Sequence, residues 1–183
     1  MADHVWQNVI RAILFACEER SAWVEAARLA IGLFDLMQHR GAWHEWGNVL
    51  ANLANALVDE PRLRGRILIQ RGQCLLMAAQ YQDALSVLEQ AEKLVLQVGD
   101  AELIIRSRTT LSEAHRFLRQ YTAAERIGML VLENLGTMPE SAEKTLIHVA
   151  VLSTLGQVCE WQGRLAEAEE YLRGALARVD ARK

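Results

Sequence analysis

Two stretches of the chain decide its fold: residues 72–88, GQCLLMAAQYQDALSVL, and residues 156–172, GQVCEWQGRLAEAEEYL. Both begin with Gly-Gln, and both carry a large residue nine positions after the glycine, Tyr81 in one and Leu165 in the other. An alanine follows three positions later in each. A glycine inside a helix costs about 1 kcal/mol relative to alanine, so its recurrence predicts a place where two helices approach closely.

Two further copies follow the same register, residues 112–128 and, less closely, residues 34–50. The large residue that opens the second helix of each copy recurs at Trp43, Tyr81, Tyr121 and Leu165, at intervals of 38, 40 and 44 residues. A recurrence at such spacing is typical of helical hairpins that stack side by side.

Apolar residues recur at three- and four-residue intervals along the chain, which predicts amphipathic helices. We expect nine of them, near residues 4–19, 22–39, 43–57, 61–79, 81–98, 101–118, 121–135, 140–162 and 165–179. Left-handed helix ends are predicted at Gly41, Gly99, Gly136 and Gly163. No run of alternating β-branched and polar residues predicts a strand.

The 183 residues, 51% hydrophobic but only 6% aromatic, thus predict one all-α domain over 1–183. It comprises an N-terminal helix (1–20) and four hairpins (22–57, 61–98, 101–135 and 140–179).

The repeated pattern resembles the tetratricopeptide repeat (TPR), whose usual period is 34 residues. The longer periods indicate a divergent, long-helix version. The stretch from Arg28 to Arg66 (RLAIGLFDLMQHRGAWHEWGNVLANLANALVDEPRLRGR) is similar to sensor arrays of signal-transduction ATPases (STAND) and related transcription regulators. The resemblance implies an α-solenoid, a right-handed superhelix of about four hairpins plus the N-terminal helix, with a concave groove that binds peptides, protein segments or small effectors. No Gly-rich loop ending in Gly-Lys-Ser/Thr accompanies it.

The repeat register assigns residues of the inner helices to the groove that this resemblance implies. The predicted partner-binding residues are Arg28, Asp35, His39, Arg66, Ile69, Gln73, Met77, Arg106, Thr109, Glu113, Arg116, Phe117, Gln157, Glu160 and Trp161. Arginine forks suit carboxylates, and large apolar side chains serve as anchors, so an acidic peptide or protein segment is the expected partner. Two alternatives stay open: the arginines solvate helix starts, or glutamates of the same surface neutralise them. Trp161 is assigned equally to groove or core, whereas Trp23 and Trp43 are expected in hairpin interfaces.

The residues give little support for catalysis, metal binding, nucleic-acid binding or a membrane span. His39, His44 and Glu45 lack the spacing of a metal site, and no nucleophile has a base beside it in sequence, so we expect no catalysis, no metal and no cofactor. The three cysteines, Cys17, Cys74 and Cys159, are far apart and are expected as small buried hydrophobes in a reducing cytoplasm. The net charge of −3 disfavours nucleic acid as a direct partner, and no apolar run is long enough for a membrane span.

Three functions therefore stay open. The first is a scaffold whose groove binds a peptide or protein partner. The second is an effector-sensing repeat domain of a larger signalling ATPase or transcription regulator. The third is a self-assembling array, because the C-terminal flank, including Tyr171, is expected either to pack on a second copy as a homo-oligomer or to continue into further repeats.

Overall fold

The computed structural model describes residues 2–17 and 22–180, without the side chains of residues 2–5. Within these ranges the chain forms nine α-helices and no strand, which confirms the predicted all-α fold. The helices are α1 (Ala2–Ala16), α2 (Trp23–Arg40), α3 (Trp43–Ala56), α4 (Pro61–Met77), α5 (Tyr81–Val98), α6 (Ala101–Phe117), α7 (Tyr121–Leu135), α8 (Ala142–Trp161) and α9 (Leu165–Asp180). The predicted continuation of the first helix through residues 18–20 lies outside the described residues. No described helix is both long enough and apolar enough to cross a membrane.

Helices that follow one another pack together as hairpins, α4 on α5, α6 on α7 and α8 on α9. The chain divides into two compact units, Met1–Asp100 with α1 to α5 and Ala101–Lys183 with α6 to α9. They are called the first and second unit below. The assignment of residues 1–183 to a single domain stays a prediction.

The small residues of the repeat lie where the two helices of a hairpin approach most closely. A Cβ atom built on Gly72 of α4 would lie 2.5 Å from Cγ of Leu88 on α5. The equivalent Cβ atom on Gly156 of α8 would lie 2.8 Å from Cγ of Leu172 on α9. Since both distances are far below van der Waals contact, a leucine of the second helix fills the space that each glycine leaves, and the sequence-based reason for these glycines is confirmed.

In the hairpin of α6 and α7, the smaller residue of this pair lies on the second helix instead of the first. Ser112 occupies the position of the glycine, and Gly128 occupies the position of the leucine on the facing helix. The buried Ser112 hydroxyl donates a hydrogen bond of 2.7 Å to the carbonyl oxygen of Ala124. The larger residue therefore fits because its partner is smaller and because its polar atom is satisfied by the backbone of α7.

The turns inside three hairpins share one backbone conformation. Ala79, Arg119 and Gly163 occupy the same repeat position and have left-handed φ angles of 58°, 58° and 77°. In each turn the next amide donates a 2.9 Å hydrogen bond to a carbonyl five residues earlier: Gln80 to Leu75, Gln120 to His115 and Arg164 to Cys159. This is the bonding of a Schellman motif, which ends the first helix and directs the chain into the second.

Helix ends outside these turns follow the prediction only in part. Gly41 and Gly99 have left-handed φ angles of 68° and 72°, as expected. Gly136 has a φ of −59°, so the left-handed end predicted there is wrong. The chain instead continues through a turn to Ser141, whose hydroxyl accepts a hydrogen bond from the amide of Lys144 and caps α8.

Two tryptophans contribute to the core of the first unit, and one of them, Trp46, occupies the repeat position of Ala84 and Ala168. Trp46 is fully buried, and its ring centroid lies 5.5 Å from that of the buried Trp6. Trp23 and Trp43, which were expected to plug hairpin interfaces, are only partly buried. Of the cysteines, Cys74 and Cys159 are buried as predicted, and burial raises the pKa of the Cys74 thiol to about 12.

The core of the second unit lies among α6, α7 and α8. Its buried members are Ile105, Val131, Leu135, Ile147, Val151 and Leu155. Tyr171 of α9 packs against this cluster, and its hydroxyl donates to the sulfur of Met129 on α7 at 3.5 Å. Tyr171 is thus engaged inside its own unit, and its assignment to an uncovered C-terminal flank is wrong.

Candidate binding surface

In the first unit, most of the predicted groove residues have exposed side chains. Arg28, Asp35, His39, Arg66 and Met77 are exposed, and Gln73 is half-buried. Ile69 differs, because it is only 4% exposed and belongs to the hydrophobic core. Its assignment to the groove is therefore wrong: a side chain so deeply packed is not accessible to a partner.

In the second unit, Arg106 is already engaged by carboxylates of the same unit. It contacts Glu102 one turn earlier in α6, at 3.2 Å, and it forms an ion pair with Glu143 at the start of α8. These contacts join two helices and neutralise the guanidinium. The alternative in which glutamates neutralise the arginines therefore applies to Arg106, although neither Glu102 nor Glu143 is among the residues predicted for the groove.

Arg116 lies near the end of α6 and stacks on an aromatic ring. Its guanidinium carbon lies 3.9 Å from the ring centroid of Phe117, and its nearest carboxylate is that of Glu113 at 3.8 Å. Partial burial raises the pKa of Glu113 above its ordinary value, and the positive charge of Arg116 acts in the opposite direction. The buried Nε of Arg116 has no hydrogen-bond acceptor within the described part of the chain.

Trp161, the last residue of α8, lies on the surface. Its side chain is 65% exposed, and the guanidinium carbon of Arg119 lies 5.9 Å from the ring centroid. Trp161 is therefore a surface residue and does not belong to the core. Arg119 was not among the predicted residues, although it shares its repeat position with Gly163. The left-handed turn brings it over the tryptophan.

One surface of the second unit thus combines aromatic rings with cationic groups. We call it the Arg–aromatic cluster and define it by Glu113, Arg116, Phe117, Arg119 and Trp161. A guanidinium over an aromatic face gains about 0.5–1 kcal/mol at exposed sites and leaves edge donors available to an anion. The arrangement is suited to a group that carries both a carboxylate and apolar surface.

The remaining predicted residues of the second unit contribute less. The Thr109 hydroxyl donates to the carbonyl oxygen of Ile105 at 2.8 Å, and Gln157 is half-buried. Glu160 is exposed beside Trp161 and adds negative charge there. Among the described residues, no group of three His, Cys, Asp or Glu side chains could hold a metal ion.

A separate cavity of about 640 Å³ opens between α8 and α9 and holds none of the predicted residues. Its lining includes His148, Tyr171 and Arg178 together with two glutamates. Burial lowers the pKa of His148, and the charges of Arg178 and Lys144 lower it further. The lining carries charges of both signs, and none of its described residues has a buried polar atom without a hydrogen-bond partner. The cavity therefore does not indicate a particular ligand.

Comparison with known proteins places the fold but not the function. Neither a protein-family model nor a curated protein matches the chain. Among solved structures, the chain is similar to the apo form of RapI, a TPR-like helical repeat protein, with a TM-score of 0.70 and 16% identity. The match covers 88% of this chain and 63% of RapI, so the chain spans less than two thirds of that protein. It is also similar to BtubC (BKLC) from P. vanneervenii, with a TM-score of 0.56, 17% identity and coverage of 96% and 91%. At these identities the likeness shows the helical-repeat fold alone.

Proposed function

We propose that the protein is a non-catalytic, TPR-like binding module that holds a peptide or protein segment bearing carboxylates. The TPR assignment is supported by the small-against-large pairs at the helix crossings and by the shared turn conformation. The observation that carries the binding proposal is the exposed ring of Trp161 beneath the guanidinium of Arg119. Tryptophan and arginine are the residue types most enriched at binding hot spots.

The Arg–aromatic cluster favours a peptide over a compact polar ligand. The exposed Trp161 ring offers apolar area that becomes favourable only when a partner covers it. Arg119 supplies charge-assisted donors, each worth about 1.5–3 kcal/mol in a formed contact. Arg66 and Met77, exposed on α4, stay predicted contacts of the first unit and are not part of this cluster. Arg106 is left out of the contact set, since two glutamates already engage it.

The effector-sensing alternative, in which the chain belongs to a larger signalling ATPase or transcription regulator, rests on the sequence resemblance of residues 28–66. No cavity of the described residues adds to it. The predicted cytoplasmic location likewise stays a prediction.

The test uses an immobilised array of synthetic peptides that combine Asp or Glu with apolar residues. Each has a twin in which Asn and Gln replace the acids. We expect the protein to retain acidic peptides in preference to their twins, and calorimetry of the best peptide to show roughly tenfold or greater weakening with Arg119→Ala and with Trp161→Ala.

Two matched controls separate the site from general surface effects. Arg126→Ala removes an exposed arginine of α7, and Phe15→Ala removes an aromatic side chain with the same 65% exposure as Trp161. Both should bind like wild type. Equal retention of acidic peptides and their neutral twins, or no retention of any peptide, contradicts the proposal.

A further inference from the structure

The Arg–aromatic cluster contains one cation that no carboxylate of its own unit engages. Arg116 already has the carboxylate of Glu113 at 3.8 Å. The guanidinium of Arg119 lies over the ring of Trp161 and, within the described residues, forms no ion pair. A single carboxylate of a partner is therefore enough to complete the charged contacts of the cluster.

Glu160, the residue before Trp161 on α8, is an unpaired anion beside the same ring. Its side chain is exposed and makes no ion pair or hydrogen bond with any described residue. Glu160 thus neutralises none of the arginines, although its position in the sequence allowed that alternative. A purely acidic partner would gain a contact at Arg119 but would bring like charge towards Glu160, which is unfavourable.

The surface next to Glu160 suits a long side chain with a charged end. Glu160 lines a shallow groove of about 390 Å³ together with apolar side chains of α9, among them Leu165 and Leu176. The other two charged residues of this groove, Glu169 and Arg173, pair with each other at 2.6 Å. Lysine and arginine carry an apolar stem and a cationic head, so their stem fits the leucines while their head reaches the unpaired carboxylate.

We propose that the partner segment carries a basic residue beside its acidic one, and that Glu160 selects for it. The acid binds Arg119, an apolar residue covers Trp161, and a lysine or arginine lies in the groove with its charge at Glu160. This inference rests on the proposed function and narrows the partner from an acidic segment to one with charges of both signs around an apolar residue. Glu160 is then a specificity-determining residue, because it favours a base and disfavours a second acid.

The probes are synthetic peptides that combine one glutamate, one leucine and one lysine, with the two charged residues placed from adjacent to one helical turn apart. Each peptide has a twin in which glutamine replaces the lysine. By calorimetry, we expect the best lysine peptide to bind wild type roughly two- to fivefold more tightly than its twin, the size of an exposed ion pair. The difference should shrink as salt is raised, because salt screens exposed charges.

Variants of Glu160 assign the preference to this residue. With Glu160→Gln, the lysine peptide and its twin should bind alike. With Glu160→Arg, the order should reverse, because the lysine then meets a like charge. Glu170→Gln is the matched control, since Glu170 is also an exposed glutamate of the second unit but lines the separate cavity between α8 and α9. This control should keep the wild-type preference for lysine.

The outcomes separate this inference from the proposed function. If peptides bind through their glutamate but the lysine peptide and its twin have equal affinity for wild type, Glu160 selects nothing and only the present inference is overturned. A lysine preference that persists in Glu160→Gln overturns it as well, because another group then recognises the base. Failure to bind any peptide contradicts both proposals.

Discussion

A single left-handed residue in each hairpin turn ends one helix and starts the next. Gly163 adopts this conformation without a side-chain clash, whereas Ala79 and Arg119 adopt it with a Cβ atom present, at a cost of about 1 kcal/mol or more each. The cost persists because the neighbouring amides find carbonyl partners only when the turn closes in this way. At Arg119 the same conformation also carries the guanidinium to Trp161.

Replacing the strained alanine by glycine is therefore expected to stabilise the protein. Ala79→Gly relieves the left-handed strain and should raise the free energy of unfolding by about 0.5–1 kcal/mol. Ala78→Gly is the matched control: Ala78 has an ordinary φ of −83°, so glycine there should lower it by about 0.5–1 kcal/mol. Urea denaturation of both variants measures the difference. If both changes destabilise, the strain argument is wrong.

The repeat register predicted the helix positions of the site residues better than it predicted which of their side chains are exposed. Trp161 lies at the end of α8, the first helix of its hairpin, as the register predicts, but its exposure depends on what packs beside it. Ile69 shares its predicted groove position with Thr109, yet it is buried in the core of its unit. The contribution of Arg119 follows from backbone conformation, which residue spacing does not encode. Pattern gives the face of a helix, and packing against neighbours decides which members of that face a partner can reach.

At the level of elements, a small residue on one helix and a large one on the other fix each crossing. Gly72→Leu tests this, because the new side chain would overlap Leu88, which is fully buried. We expect the free energy of unfolding to fall by about 1–3 kcal/mol. Gly32→Leu is the control, since the space around Gly32 on α2 is open and leucine improves helix propensity by up to about 1 kcal/mol.

Thermal melts of the two leucine variants decide the matter. A lowered midpoint for Gly72→Leu beside an unchanged or raised midpoint for Gly32→Leu supports the close crossing. Similar midpoints for both variants would mean that Gly72 has no packing role, and the repeat register would lose its physical basis.

Helix bounds were the most predictable feature, because strong apolar periodicity between glycine, proline and capping signals leaves little freedom. Differences of two residues occur at the start of α1, at the end of α4 and at the start of α8, where the helix expected from residue 140 begins at Ala142 instead. The Thr137 hydroxyl donates to the carbonyl oxygen of Asn134 rather than capping α8, and Ser141 provides the cap. The spacing of Thr137 and Glu140 predicts a capping box at this helix start, and that prediction is wrong.

At the level of the whole molecule, the segment that joins the two units is short, and its hydrogen bonds lie within the first unit. Only Gly99 and Asp100 lie between α5 and α6. The Gly99 amide donates to the carbonyl oxygen of Val95, and the Asp100 carboxylate accepts a hydrogen bond of 2.6 Å from Arg62 of α4. Linkers between independent domains are usually longer and make few such contacts.

We therefore expect both units to unfold in one cooperative transition, as the prediction of a single domain requires. Tryptophan distribution makes this measurable: Trp161 is the only tryptophan in the sequence of the second unit, so in Trp161→Phe all tryptophan fluorescence comes from the first unit. Far-UV circular dichroism reports the helices of both. In urea, the two signals of this variant should give the same midpoint and slope, since short repeat arrays transmit stability between neighbours. A fluorescence transition that ends while roughly half of the helical signal remains would show that the units unfold separately, because the second unit holds four of the nine described helices.

Gly72→Leu, placed in the first unit, adds a second readout. It should shift the dichroism transition as a whole if the chain is one cooperative array, and only its first part if it is not.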